Sequence, residues 1–122
     1  MKYAILVLFF YIQQAGTITK NNGEQVRLNE IEFYQDQDTS SGNTLSFTYR
    51  GTDKTIEINK IKRINLKESK GKKKGITTWL ALIVTRSNQK YEVDIDLVEV
   101  RGKNAEGKEE GYSTNSIDKI TL

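Results

Sequence analysis

The stretch Asn59–Leu66 reads NKIKRINL, and Asn115–Leu122 reads NSIDKITL. Both fit the pattern Asn-x-Ile-x-x-Ile-x-Leu. Isoleucine is β-branched and favours strands, so each copy predicts a short closing strand. Because the pattern occurs twice, we expect two related β units, each with a single helical turn before its last strand. We also expect the loss of Ile120 or Leu122 to unravel the second unit.

A second pattern precedes each closing motif. Apolar residues alternate, skip one position and alternate again, first at Val26, Leu28, Ile31 and Phe33, then at Val93, Ile95, Val98 and Val100. Alternation keeps side chains on one face of a strand, so the skip predicts a bulge. We therefore expect one long bent strand in each unit, over 25–35 and 90–100. The second unit is abbreviated, because 28 residues separate Phe33 from Ile61 and only 17 separate Val100 from Ile117.

The composition predicts an all-β protein. The chain has 122 residues, no proline and nine glycines, and its apolar residues are mostly the β-branched and aromatic types that favour strands. We expect about ten short strands in two related units, the second abbreviated. The units form either two small barrel-like halves packed together or a single sandwich with a shared core. The first β unit covers 16–66 and the second covers 76–122. Between them, residues 67–75 are predicted to form a lysine-rich linker or loop.

The first fifteen residues, Met1–Ala15, have the layout of a secretory signal peptide. A single Lys2 precedes an apolar run from Tyr3 to Ile12, and Gln13, Gln14 and the small residue Ala15 follow. The run is too short to span a bilayer comfortably, so we expect no transmembrane span. The alternative is a first buried strand. With a signal peptide the protein is expected to be periplasmic or secreted, and without one it is expected to be cytoplasmic.

The first unit, Gly16–Leu66, resembles small SH3-like or Sm-like β-barrels. The resemblance rests on a five-strand layout, a bent second strand and a short helical turn before the last strand. The Ile-x-x-Ile ending is similar to that of repeat domains in uncharacterised bacterial envelope proteins. The resemblance implies a barrel fold. It implies no nucleic-acid function for any residue, because the chain carries no Sm-type RNA-binding signature.

The chain contains no histidine and no cysteine. Nucleophilic systems based on Cys or His and zinc sites of the Cys/His type are therefore excluded, and we expect no catalytic residue, metal or cofactor. Glu92, Asp94 and Asp96 alternate along one predicted strand. Such carboxylates could hold a divalent ion or perform acid–base chemistry. We favour the alternative, the polar face of a half-buried strand with lysines on a neighbouring strand as partners.

The predicted linker reads KESKGKKKG, and within it Lys70, Lys72, Lys73 and Lys74 are the candidates for contact with an anion. The alternative, which we favour, is a solvated loop whose charge keeps strand edges from pairing with other chains. The stretch contains no arginine and no aromatic residue, so base stacking and bidentate phosphate recognition have no provider there.

The aromatic residues divide into two groups. We expect Trp79 and Tyr91 in the core of the second unit. Tyr34, Tyr49 and Tyr112 lie near predicted strand ends and could form a binding surface.

These observations predict a non-enzymatic binding or structural module of the bacterial cell envelope. The sequence does not identify its partner, for which an envelope protein or a polysaccharide is the candidate. The net charge of +3 is too small to imply a nucleic-acid partner by itself. The alternative is an intracellular SH3-like or Sm-like module that binds nucleic acid or protein through the lysine-rich loop. A third hypothesis is an enzyme that uses Asp94 and Asp96.

Overall fold

The computed structural model describes residues 14–122. The predicted signal peptide therefore lies outside the described residues, apart from Gln14 and Ala15. The described chain is all-β, as predicted. Its strands are β1 Gly16–Lys20, β2 Gln25–Tyr34, β3 Thr44–Tyr49, β4 Thr52–Glu57, β5 Ile61–Lys73, β6 Ile76–Thr85, β7 Lys90–Asp96, β8 Glu99–Lys103, β9 Glu109–Ser113 and β10 Ile117–Thr121. A 3₁₀ turn precedes each closing strand, at Ile58–Lys60 and at Thr114–Ser116, which confirms the predicted helical turns.

Eight strands form one antiparallel sheet in the order β7-β6-β5-β10-β1-β2-β8-β9, and β3 and β4 form a separate hairpin. The end strands β7 and β9 do not pair with each other, so the described chain contains no closed barrel, and the prediction that the units are barrel-like is wrong. The physical reason is that β5 pairs with β10. This pairing joins the two halves of the chain edge to edge instead of letting each half curl onto itself.

The core forms along one face of the large sheet. A row of isoleucines crosses four adjacent strands, because Ile18 is opposite Ile120, Ile120 is opposite Ile64, and Ile64 is opposite Ile83. All four are fully buried. Residues directly opposite in antiparallel strands share a face, so a single apolar layer runs through both halves of the chain. The two copies of the closing motif meet at its centre.

The long strand β2 changes neighbours in its middle. Its first half pairs with β1 and its second half with β8, with an irregularity in register between Asn29 and Glu32. Glu30 adopts a positive φ of 53° there. Leu28 and Ile31 are buried on either side of it, so the irregularity returns the apolar residues to the core, as the skipped position predicts.

The second predicted bent strand, 90–100, is two strands. The chain breaks between β7 and β8 because two consecutive amides bond to different neighbours. Leu97 N donates to Thr77 O on β6, and Val98 N donates to Tyr34 O on β2. Leu97 is fully buried at this break, a position that the alternation did not include in the apolar set.

Residues 67–75 are not a linker. They continue β5 to Lys73, and β6 begins at Ile76, so the lysine-rich stretch forms the outer part of the β5–β6 hairpin. Its register is irregular between Leu66 and Glu68 and again between Ser69 and Gly71. We call residues 67–76 the lysine arm. Charged residues suit such a ribbon because residues 67–74 are all exposed.

The second 3₁₀ turn is anchored to β6 through a buried hydroxyl. Thr114 Oγ1 donates to Leu97 O at 2.7 Å and accepts from Trp79 Nε1 at 3.0 Å. Thr114 is fully buried, whereas Trp79 is partly exposed. This contact ties the segment before β10 to the middle of β6, across 35 residues of sequence.

The β3–β4 hairpin packs against the large sheet beside β7. Leu45 and Phe47 of β3 are buried in the common core. The side chain of Gln35 bridges the two layers, because its Nε2 donates to Ser46 O at 2.8 Å and to Asp96 O at 2.9 Å, while its Oε1 accepts from Ser46 N at 3.0 Å. The hairpin therefore stands next to β7 and the turn that precedes it.

Candidate functional site

A cleft lies between the β3–β4 hairpin and the turn that joins β6 to β7. Its volume is about 560 Å³, within the range of about 300–1,000 Å³ typical of small-molecule sites. Strand β4 and the first 3₁₀ turn form one wall, and residues 85–91 form the other. Its charged, apolar and aromatic lining residues are Lys54, Ile56, Glu57, Lys60, Arg86 and Tyr91. We call this surface the basic cleft.

The wall formed by the β6–β7 turn is held by a compact set of hydrogen bonds. Thr85 N donates to Gln89 O at 2.9 Å and Asn88 N donates to Thr85 O at 2.9 Å. The buried Thr85 hydroxyl accepts from Gln89 N at 3.0 Å. Asn88 adopts a positive φ of 67°, which asparagine tolerates better than most residues. The turn therefore presents its side chains from a defined backbone.

Arg86 connects the two walls. Its backbone N donates to Lys60 O at 2.9 Å, and its Nε donates to Asn59 O at 3.0 Å. These bonds hold the turn against the first 3₁₀ turn and leave the terminal guanidinium nitrogens for a ligand. A guanidinium presents its donors in a planar fork that matches a carboxylate or a phosphate.

Tyr91 contributes an aromatic side to the cleft. It is half-buried and packs against Phe47 and Tyr49, with ring centroids 5.4 Å and 4.9 Å away. Lys54 Nζ lies 5.8 Å from the centre of the Tyr91 ring, and Arg50 lies 5.0 Å from that of Tyr49. Cations over aromatic faces are attracted by the ring quadrupole, so this cluster keeps positive charge near the cleft.

The charge of the cleft is unbalanced. Lys54, Lys60 and Arg86 face a single carboxylate, that of Glu57. The excess of cations favours an anionic ligand, while Tyr91 and Ile56 provide apolar surface. The arrangement can therefore bind a molecule that combines a negative group with a flat or ring-shaped apolar face.

The predicted carboxylate set lies outside the basic cleft. Glu92, Asp94 and Asp96 are exposed on β7, and Glu92 forms an ion pair with Lys67 of β5 at 3.1 Å. Asp96 accepts a hydrogen bond from Thr78 Oγ1 at 2.6 Å. Within residues 14–122, no group of three or more Asp or Glu side chains is arranged to hold a metal ion.

The predicted anion-contact lysines, Lys70, Lys72, Lys73 and Lys74, are all exposed on the lysine arm. The structure does not bring them to the basic cleft, since the arm lies at one end of β6 and the cleft at the other. None of the four makes an ion pair with another residue in the described part of the chain.

The predicted aromatic surface is divided as well. Tyr49 joins the cluster beside the basic cleft, whereas Tyr34 and Tyr112 lie elsewhere. Tyr112 donates to Glu110 at 2.7 Å, and this hydrogen bond raises the pKa of Tyr112 to about 12. The same bond, with a second from Asn104, lowers the pKa of Glu110. These shifts belong to a half-buried contact on β9.

The sequence did not point to Lys54, Lys60 or Arg86 as a group. The three residues come from a strand, a 3₁₀ turn and a distant hairpin turn, and only the tertiary packing brings them together. The available signals were weak: Arg86 opens the polar stretch RSNQK between two strands, and Tyr91 follows it at the start of β7.

No protein-family model, curated protein or solved structure matches the chain. None of the helical segments that the structure describes is long and apolar enough to cross a membrane.

Proposed function

We propose that the chain is a non-enzymatic binding module of the bacterial cell envelope that holds an acidic saccharide in the basic cleft. The observation that carries this proposal is the cleft itself, in which three cations face one carboxylate beside the half-buried Tyr91. Arg86 and Lys54 bind the carboxylate of a sugar acid. The apolar C–H face of the sugar ring packs on the ring of Tyr91, which is apolar apart from its hydroxyl.

The envelope location is the part of the proposal that comes from the sequence. Met1–Ala15 has the layout of a signal peptide, and acidic polysaccharides are components of the envelope to which an exported module has access. Intact-mass measurement of the protein expressed in a bacterial host tests this part. The proposal requires an exported product that lacks the first fifteen residues, and an intact cytosolic product would refute it.

The two-unit organisation is also a proposal. The pairing of the two closing motifs, with Ile64 opposite Ile120, and the 3₁₀ turn before each of them support it. The hairpins before these turns differ in placement, because β8 pairs with both β2 and β9, whereas β3 pairs only with β4. The cleft therefore depends on the β3–β4 hairpin of the first unit, which packs against the large sheet without pairing into it. Residues 85–91 of the second unit form its other wall.

Calorimetric titration with an oligomer of galacturonic acid tests the ligand class. Its methyl ester has the same ring without the charge and serves as the matched control ligand. We expect Arg86→Gln to weaken binding of the acid about 10- to 100-fold, because a hydrogen bond to a charged group contributes about 1.5–3 kcal/mol. Lys108→Gln, an exposed lysine outside the cleft, should leave the affinity within about twofold.

Three results would contradict the proposal: no binding of the acid by the wild type, equal binding of the acid and its ester, or equal losses for Arg86→Gln and Lys108→Gln. A melting curve of each variant shows whether a loss reflects unfolding. Arg86→Lys keeps the charge and lacks the planar fork, and it should bind with intermediate affinity if the guanidinium contacts the carboxylate directly.

A further inference from the structure

The lysine arm extends beyond its neighbours in the sheet. Strand β10 pairs with β5 only over Arg63–Asn65, and β7 pairs with β6 only from Thr78 onward. Strand pairing within the arm continues to Lys73, which is opposite Ile76. The outer part of this hairpin is therefore a two-stranded ribbon without a further strand on either side.

The arm is a hairpin with strand pairing and a defined turn. Lys74 and Gly75 form its two-residue turn and have positive φ angles of 54° and 79°, as in a type I′ turn. At the tip, Gln37 Nε2 donates to Gly75 O at 3.0 Å. Strand pairing and this contact hold the lysines at defined positions, which lowers the entropic cost of binding a partner.

The positive charge of the chain is concentrated in the arm. Five lysines and Glu68 give residues 67–76 a formal charge of +4, against +3 for the whole chain, so the rest of the chain sums to −1. Lys67 is the one arm lysine that forms an ion pair within the described residues, with Glu92. The other four have no carboxylate partner there.

The placement of the lysines selects the kind of partner. Lys72 and Lys73 are neighbours in one strand and so project from opposite faces of the ribbon, and Lys74 lies in the turn. A flat bilayer surface meets only one face of such a ribbon. A linear polymer can place negative groups along both faces, as the two backbones that border a nucleic-acid groove do; a two-stranded ribbon fits the major groove, which is about 12 Å wide.

The residue type narrows the chemistry further. The arm contains lysine and no arginine or aromatic residue. Planar bidentate recognition of a carboxylate or a phosphate uses arginine, whereas lysine binds phosphate as a point charge. Base stacking uses aromatic rings. We propose that the lysine arm is a second binding site, which holds a linear polymer of phosphate groups without reading its sequence.

Binding of three polyanions distinguishes the sources of the phosphate. Duplex DNA presents two rows of phosphates, inorganic polyphosphate presents one row, and polygalacturonate replaces phosphate by carboxylate. Vesicles of phosphatidylglycerol and phosphatidylcholine present phosphate on a flat surface. Arg86→Gln is the background for this comparison, because the basic cleft is itself proposed to bind galacturonate. In that background we expect binding to at least one phosphate polymer at low salt, with weaker binding to polygalacturonate and to the vesicles.

The arm variant replaces four lysines by residues that keep their bulk or suit the turn: Lys70→Gln, Lys72→Gln, Lys73→Gln and Lys74→Asn. The control variant has the same net charge, −1, and removes four lysines outside the arm and the cleft: Lys62→Gln, Lys103→Gln, Lys108→Gln and Lys119→Gln. Melting curves and the emission of the single Trp79 establish that both variants are folded. If the arm variant is unfolded, the double variant Lys70→Gln/Lys74→Asn replaces it.

The arm variant should bind phosphate polymers at least tenfold more weakly than the control variant. The negative slope of log Kobs against log salt should be smaller in magnitude by about 3 for the arm variant than for the wild type, because each of the four lost phosphate contacts contributes about 0.7–0.9 to it. Equal losses in both variants, stronger binding to vesicles than to polymers, no binding of a phosphate polymer at low salt, or stronger binding to polygalacturonate than to phosphate polymers in the Arg86→Gln background would each overturn the proposal. Arg86→Gln should leave this binding unchanged, which separates the arm from the basic cleft.

Discussion

Removing the hydroxyl of Thr114 should destabilise the fold more than removing its methyl group. In Thr114→Val the side chain keeps its shape, but Trp79 Nε1 loses its acceptor and Leu97 O loses a donor. A buried polar group left unsatisfied costs about 1–3 kcal/mol. The indole is partly exposed and can regain water, so we expect a total loss of about 2–4 kcal/mol. In Thr114→Ser the hydroxyl stays, and the loss should be about 1 kcal/mol for the missing methyl.

Urea unfolding measures both variants. Trp79 is the only tryptophan, so its emission follows unfolding and also reports loss of its hydrogen bond in the folded state. A double-mutant cycle with Trp79→Phe, followed by circular dichroism, isolates the indole contact. The cost of Thr114→Val should fall in the Trp79→Phe background, because the indole donor is already gone. If Thr114→Val costs no more than Thr114→Ser, the hydroxyl does not anchor the second 3₁₀ turn and the reasoning is wrong.

Three further outcomes are expected. Lys74→Asn should raise stability by about 0.5–1 kcal/mol in high salt, because a positive φ costs most L-residues about 1–2 kcal/mol and asparagine less; a lower melting temperature would contradict the turn geometry. Ile120→Ala should cost about 2–5 kcal/mol in urea unfolding, because Ile120 is fully buried, and a loss below about 1 kcal/mol would remove the closing motif from the core. Tyr112→Phe should be less stable than the wild type near neutral pH. Because folding raises the pKa of Tyr112 from 10.0 to about 12, this difference should be complete below pH 10 and disappear as the pH rises through about 12. Folding also lowers the pKa of Glu110. The stability difference between Tyr112→Phe and the wild type should therefore also shrink as the pH falls through the pKa of Glu110 in the folded protein. Unfolding curves across pH, with a spectroscopic titration of tyrosinate, check both limbs, and a pH-independent difference would refute the Glu110 contact.

Local patterns of apolar residues predicted those features of the fold that depend only on residues close together in the sequence. The skipped position before Ile31 predicted the irregularity at Glu30, because burial on one face constrains every second side chain. The same argument missed the break before β8. Alternation reports which side chains face the core, but it does not report that consecutive amides bond to different strands, as those of Leu97 and Val98 do.

The lysine arm contains the end of strand β5, which apolar alternation could not predict. A run of lysines carries no apolar alternation, so it was predicted to be a linker. In the structure its partner strand supplies the pairing, and Lys70, Lys72, Lys73 and Lys74 stay exposed. The basic cleft was beyond sequence reasoning for another reason: it depends on where Gln35 holds the β3–β4 hairpin, and this contact joins residues 61 positions apart.

The open sheet has one more consequence, for contacts between molecules. Its end strands β7 and β9 both carry acidic residues, Asp94 and Asp96 on one and Glu109 and Glu110 on the other. A second copy that added edge to edge would place carboxylates opposite carboxylates, and like charges opposite each other in a sheet are destabilising. Repulsion at the two end strands thus discourages pairing with other molecules, which a barrel prevents by having no free edge strands. Because salt screens repulsion between exposed charges, the tendency of separate molecules to extend one another's sheets should rise with ionic strength.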